Sequence, residues 1–203
     1  MLCCIGMNRY DNDILTARRT LTDEERADLE RCTLGLDEWA IQRALFWKYR
    51  GSARRIVPNF TPAPWFECDL FVMTRAAYTI EFEIKLSRSD YRADFNKQRK
   101  HARLSEMTPG KFLPTRFFYV TPEFLVLPRD VPAYAGLVYC RFRNEYRPSI
   151  PLVTVVRQAP RLSKTKVGAG LLEDIGATCY HRFWRARFAL DDYRADRGGN
   201  APL

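Results

Sequence analysis

The chain has 203 residues, 46% of them hydrophobic and 13% aromatic. That is the length of one ordinary domain with enough apolar material for a core, which excludes a fusion of two enzymes and a mainly disordered chain. Lys and Arg outnumber Asp and Glu 33 to 24, and no apolar run approaches the ~18 residues of a membrane-spanning helix, so a soluble protein without a membrane partner is expected. The stretch Met1 to Arg9 lacks the basic flank and apolar length of a secretory signal, which predicts a cytoplasmic location. The cysteines (Cys3, Cys4, Cys32, Cys68, Cys140, Cys179) form no C-x-x-C and read as idle or buried thiols in a reducing compartment. With His101 and His181 the only histidines, a zinc site would need scattered ligands.

Thr22-Asp-Glu-Glu25 reads as a capping box opening an acidic helix to about Cys32, and Gly35 breaks the pattern. From Leu36 to about Tyr49 the residues Trp39, Ala40, Leu45, Phe46 and Tyr49 recur at helical spacing, predicting a packed helix with Glu38 in its first turn. Gly51 ends it. Pro58, Pro62 and Pro64 limit the stretch from Arg54 to an edge strand and an irregular connection. Glu67 to Met73 and Tyr78 to Leu86 are β-rich runs separated by Thr74 to Ala77, which predicts an antiparallel hairpin. Ser87 and Asp90 are helix caps, and a basic helix is expected to run to about Ser105, followed by a turn at Met107-Thr-Pro-Gly110. Strands are predicted at Arg116 to Thr121, Gly136 to Cys140 and Leu152 to Arg157. A C-terminal helix is predicted from Gly168 to about Arg187, with a frayed tail from Arg194. Trp39, Trp47, Trp65 and Trp184 read as core or rim packing rather than as stacking platforms. The chain divides into an N-terminal helical extension (1–35), a core (36–160), and a C-terminal helix with its tail packed on that core (161–203).

The positive charge is concentrated. Between Lys85 and Arg116 there are nine basic residues against Asp90, Asp94 and Glu106. Arg161, Lys164, Lys166, Arg182, Arg185 and Arg187 are opposed only by Glu173 and Asp174. Such clusters suit a polyanion, whose condensed counterions are released on binding, and equally suit a solvated face without a partner.

Side chains alternate along a strand, so Glu81, Glu83 and Lys85 share one face and Phe82 and Ile84 the other. In a hairpin whose paired residue numbers sum to an even value, Asp69 joins the Glu81/Glu83/Lys85 row, while Cys68, Leu70 and Val72 join Phe82 and Ile84. Clustered carboxylates repel unless a cation lies between them. Mg²⁺ fits such a set, because it takes oxygen ligands and is often held by one or two carboxylates together with substrate phosphate. Lys85 could hold an attacking water. The same residues also read as an exposed strand with paired charges, and Glu67 or Glu81 would be the ligand if the register slipped by two.

The order of elements, a helix with an early acid, a strand with Asp, a strand with Glu-x-Lys, a basic helix and an apolar strand, resembles the core of the PD-(D/E)xK nuclease superfamily. Within it, Glu83-Ile-Lys-Leu-Ser-Arg-Ser-Asp-Tyr-Arg-Ala-Asp94 is similar to the signature of the MmcB-like DNA-repair family and related phage proteins. Phe117-Phe-Tyr-Val-Thr-Pro122 and Ala135-Gly-Leu-Val138 resemble the same group, and the likeness covers roughly Leu36 to Arg141. Cys68 stands where the superfamily's name places a proline. The resemblance implies an α/β fold of restriction-endonuclease type, three layers with a central mixed β-sheet flanked by helices. It implies an Mg²⁺- or Mn²⁺-dependent nuclease acting on nucleic acid, DNA rather than RNA, in repair or phage DNA metabolism; the alternative is an inactive nucleic-acid-binding module on the same fold. Asp69, Glu83 and Lys85 resemble the catalytic set, with Asp69 and Glu83 on the metal. Glu38 resembles the helix acid that completes the metal site, although an acid in a first helical turn is also favoured by the helix dipole. Arg88, Arg92, Lys97, Lys100 and His101 are the candidate nucleic-acid contacts.

Overall fold

The computed structural model describes residues 22–107, 112–142 and 150–196. Cys3 and Cys4, the rest of the turn after Met107, and the tail from residue 197 lie outside them. Helix α1 (Asp23–Thr33) leads to α2 (Glu38–Tyr49), and strands β1 (Ala53–Phe60), β2 (Cys68–Thr74) and β3 (Thr79–Ile84) follow. Two short helices, α3 (Arg88–Asp94) and α4 (Gln98–Glu106), connect β3 to β4 (Arg116–Pro122). Strands β5 (Ala135–Arg141) and β6 (Leu152–Arg157) come next, and a 28-residue helix, α5 (Ala169–Asp196), closes the described chain.

The strands form one six-stranded sheet in sequential order, antiparallel from β1 to β3 and from β5 to β6, parallel from β3 to β5. Parallel neighbours need a crossover, which α3 and α4 supply between β3 and β4. Pro58 confines β1 to the sheet's edge, as expected of a strand carrying a residue without an N–H. On one face Leu70, Val72, Phe82, Ile84, Phe118, Val120 and Val138 pack under Ile41 and Leu45 of α2. On the other, Phe117, Tyr119, Leu137 and Tyr139 pack under Tyr91 of α3 and Leu104 of α4, and Ile175 of α5 covers Phe71 and Met73. The fold is an α/β three-layer arrangement with helices on both faces of a mixed sheet.

Several sequence expectations need correction. The basic helix is broken in two at Phe95–Lys97, because Ser87 caps a short first helix whose end turns the chain before Gln98. The buried face of α2 is Ile41, Gln42, Ala44 and Leu45, while Trp39 and Phe46 face outward. Of the four tryptophans only Trp65 is buried; Trp39, Trp47 and Trp184 are exposed, Trp39 by 64%. Cys68 lies in a cluster with Phe60, Phe71 and Met73, and its thiol donates to the Phe60 carbonyl. Helix α5 extends to Asp196, nine residues beyond Arg187. Among the described residues no helix is long and apolar enough to cross a membrane.

Gly136 sits where β5 pairs with Phe118, and a Cβ there would run into the Phe118 ring and lie 2.7 Å from the Ala159 nitrogen. Both neighbours are core, so neither can yield cheaply. Gly136→Ala is expected to lower stability by about 1–3 kcal/mol, seen as a lower urea midpoint at unchanged slope.

Candidate functional site

The β2–β3 hairpin carries the even-sum register: Leu70 pairs with Phe82, Phe71 with Glu81 and Val72 with Ile80. The ladder ends at Leu70, and the Asp69 side chain takes the next donor itself, Oδ2 accepting the Ile84 N–H at 2.5 Å. Ile84 is followed by Lys85, whose N–H donates to the Val120 carbonyl, so this end of β3 remains held by β4. Asp69, Glu83 and Lys85 are thereby gathered at one end of the sheet.

Glu38 reaches the same place from α2. Asp37 caps that helix, its Oδ1 accepting the Ala40 N–H, which sets Glu38 in the first turn. One turn on, Gln42 projects from the same side. Its Nε2 lies 2.8 Å from Glu38 Oε1, 2.8 Å from the Asp69 carbonyl and 2.7 Å from the Asn59 amide oxygen. Asn59 holds φ at 47°, a left-handed conformation that Asn tolerates better than most residues. Gln42 and Asn59 thus tie helix, edge strand and Asp69 together. Gln42 stands four residues after Glu38, a spacing legible in the sequence, whereas Asn59 gave no signal.

Glu83 is 1% exposed and meets three ammonium groups. Lys85 Nζ is 3.0 Å and Lys97 Nζ 2.8 Å from its Oε1, and Lys100 Nζ is 2.7 Å from its Oε2. Lys100 also pairs with Glu81 at 2.6 Å and donates to the Glu67 carbonyl. Glu81 accepts the Trp65 Nε1–H as well, which makes it a buried structural partner of Lys100 rather than an alternative to Glu83. Glu67 is exposed, and its role here is through its backbone. Asp94 joins the network from α3: one oxygen lies 3.2 Å from Lys85 and 2.9 Å from Lys97, while the other accepts the Tyr119 hydroxyl and faces His101. Asp94 stands within the Glu83–Asp94 motif, but no role for it is legible there, because its side-chain placement depends on the break between α3 and α4.

The proposed nucleic-acid contacts separate. Lys100, 1% exposed, is locked between Glu81 and Glu83, and His101 is buried with Nδ1 on the Tyr134 hydroxyl and Nε2 on the Asp94 carbonyl. Neither can touch a phosphate, and both expectations are corrected: the helical face that looked solvated is the one packed on the sheet. Lys97 is half-exposed while paired to Glu83 and Asp94. Arg88 and Arg92 are exposed and have no ion pair among the described residues. Ser87 and Asp90 act as caps: Ser87 Oγ accepts the Asp90 N–H and Asp90 accepts the Leu86 N–H.

Burial raises the Asp69 pKa most, the Glu83 charge adds to that, and the Ile84 N–H and Lys85 only partly oppose them, so it is pushed up to about 7. For Asp94 burial acts in the same upward sense, yet hydrogen bonds from His101 and Lys97 and the Lys85 charge outweigh it and hold the carboxyl well below its usual range. Burial would lower Lys85, Lys97 and Lys100, but the facing carboxylates keep all three raised and charged.

Glu38, Asp69, Glu81, Glu83, Asp90 and Asp94 are six carboxylates set against the ammonium groups of Lys85, Lys97 and Lys100, with Asp90 3.8 Å from Lys85. The two left over are Glu38 and Asp69, which have no ion pair among the described residues. No three His, Cys, Asp or Glu side chains among them converge as a ready-made cage. Mg²⁺ does not require one, because water and substrate phosphate commonly complete its shell around one or two carboxylates. Among the described residues, Glu38 and Asp69 are the oxygen donors of this cluster that no ammonium group occupies, so a divalent ion here would draw on them first.

No protein-family model matches the chain, and no curated protein sequence matches it. A solved structure, the SPO1766 protein of unknown function from Silicibacter pomeroyi, is similar with a TM-score of 0.52 at 20% identity. The match covers 76% of this chain and 94% of that one. At that identity the likeness shows the fold.

The Asp69 shift has a sign that can be tested. Between about 3.8 and about 7 native Asp69 keeps a proton that the unfolded chain releases, so its contribution to stability falls as pH rises through that window. Relative to Asp69→Asn, the unaltered protein is expected to lose stability from the acid end of the window to the neutral end. Urea midpoints of both proteins at the two ends check this, and a constant difference contradicts it.

Proposed function

We propose that this chain is a divalent-metal-dependent phosphodiesterase of the PD-(D/E)xK type, on a restriction-endonuclease-like fold, acting on nucleic acid and on DNA rather than RNA. The observation that carries the reading is the meeting of Asp69, Glu83 and Lys85 at the end of the β2–β3 ladder, with Glu38 tied to Asp69 through Gln42. The preference for DNA, and a place in repair or phage DNA metabolism, rest on the MmcB-like signature. Cys32, Cys68 and Cys140 are buried free thiols, which supports a reducing, cytoplasmic setting.

In this reading Asp69 and Glu83 hold Mg²⁺ or Mn²⁺, with Glu38 completing the site on the helix side. The bound ion supplies Lewis-acid neutralisation of the charge that builds on the phosphate. Glu83 and Asp94 fix the Lys85 ammonium from two sides, leaving it to orient the water that attacks in line and to offset charge on the reacting oxygens. Gln42 and Asn59 keep the Asp69 backbone and Glu38 in register. Lys97, half in water, and the exposed Arg88 and Arg92 supply positive charge toward the backbone of the polymer.

The second reading, a non-catalytic nucleic-acid-binding module, is favoured by one feature: three lysines already occupy both Glu83 oxygens. A cleavage assay on labelled single-stranded, duplex and branched DNA and on RNA, with Mg²⁺ or Mn²⁺, separates the two. Cleavage by the unaltered protein is expected, with loss in Asp69→Ala and Glu83→Gln. In Lys85→Ala turnover should fall by roughly 10²–10³ while nucleic acid still binds. No cleavage of any form with either ion leaves the binding module standing, and normal turnover by Lys85→Ala removes the mechanism.

A further inference from the structure

Helix α5 runs past the candidate site and then continues uncovered. Ile175 packs on Phe71 and Met73, and seven residues on Arg182 donates to the carbonyls of Pro58 and Asn59. Asn59 is the residue whose side chain meets Gln42 beside Glu38 and Asp69. The helix is therefore clamped to the strand that positions the two unpaired carboxylates. From Phe183 to Arg194 every residue except the half-buried Arg187 is exposed, a length of roughly 18 Å at 1.5 Å per residue.

That length carries large aromatic rings in water. Phe183 and Phe188 are each at least 60% exposed, with Trp184 at 40% between them and Tyr180 at 60% one turn earlier. The rings form a row: Tyr180 to Trp184 at 6.3 Å, Phe183 to Trp184 at 5.6 Å, and Trp184 to Phe188 at 5.7 Å between centroids. Tyr180, Trp184 and Phe188 fall at i, i+4 and i+8, one stripe of the helix. Arg185 and Arg187 are interleaved with them. Arg187 pairs with Asp191, and Arg185 has no ion pair among the described residues.

We infer that this stripe of α5 is a stacking platform for a single strand of nucleic acid leading to or from the candidate site. Bases stack on Tyr180, Trp184 and Phe188, and phosphates lie along the arginines. Charge complementarity selects this occupant. From Tyr180 to Arg194 the helix carries Arg182, Arg185, Arg187 and Arg194 against Asp191 and Asp192, so a second copy packed on the same stripe would meet an excess of its own positive charge, whereas a polyanion is attracted to it. Rings interleaved with guanidinium groups are what unpaired bases on a phosphate chain require. A duplex, whose bases are already stacked, has no such use for exposed rings. The inference rests on the phosphodiesterase reading for the class of polymer, and its test does not depend on cleavage.

The experiment measures binding of labelled oligo-dT, oligo-U and a blunt DNA duplex to the full chain in EDTA, alongside Trp184→Ala/Phe188→Ala. These side chains are exposed, and circular dichroism checks that the double variant keeps its helix. The affinity for a single strand is expected to fall at least roughly tenfold, since stacking is worth about 1–3 kcal/mol per base, while duplex affinity stays the same. Equal loss for dT and U means a platform for either polymer, and loss for dT alone means one for DNA. Unchanged single-strand affinity overturns the inference, as does a dimer in sedimentation that the double variant abolishes while strand binding persists. Strand binding that depends on the stripe in a protein that never cleaves supports the platform and removes the nuclease reading. Cleavage with strand binding indifferent to the stripe does the reverse.

Discussion

A carboxylate taken out of water must be paired or remain neutral, and Glu83 is paired three times. Lys85, Lys97 and Lys100 come to it from the end of β3, the break between α3 and α4, and the first turn of α4. Each of those lysines is held in turn by a second acid: Asp94 for Lys85 and Lys97, Glu81 for Lys100. The position of α3 and α4 over the sheet is therefore fixed by charge as much as by Tyr91 and Leu104. Removing one partner from a buried pair typically costs about 3–5 kcal/mol because the other charge is stranded, so Lys100 matters to folding more than its place on a basic helix implies.

The network also divides the site into two halves of different character. Around Glu83 and Asp94 positive and negative groups alternate, and all but Lys97 and Asp90 are buried. Around Asp69 and Glu38 the carboxylates are held by amides, Glu38 by Gln42 and Asp69 by the Ile84 N–H, which orient them without neutralising them. A hydrogen-bonded but uncompensated pair of acids is an electrostatic cost that a divalent ion would offset. Lys85 stands at the boundary between the halves, and so a single residue can respond to both.

Much of this was legible in the sequence because strand alternation is strict. Once Asp69 and Glu83 were assigned to a hairpin, the parity of the register decided whether they met, and the apolar partners Leu70, Val72, Phe82 and Ile84 chose the parity. The edge position of β1 followed from Pro58. What the sequence hid depends on side-chain reach across elements. Lys97, Lys100 and His101 belong to one basic run, and nothing local distinguishes the solvated member from the two turned inward. Asn59 meets Gln42 beside Glu38 and Asp69 only because β1 and α2 converge. On α2 the aromatic residues suggested the buried face, while the smaller Ile41, Ala44 and Leu45 occupy it, since a helix lying close on a sheet leaves little room for Trp39.

The proposed function turns on a divalent ion shared by Asp69 and Glu83. Calorimetry with Mn²⁺ near pH 6, repeated in buffers of different ionisation enthalpy, tests it most directly. Because Asp69 holds a proton up to about pH 7, binding at that site should release a proton, and both the heat of binding and the proton release should vanish in Asp69→Asn. The absence of Mn²⁺ binding to the unaltered protein near neutral pH, or binding that Asp69→Asn leaves intact, would rule out the shared ion.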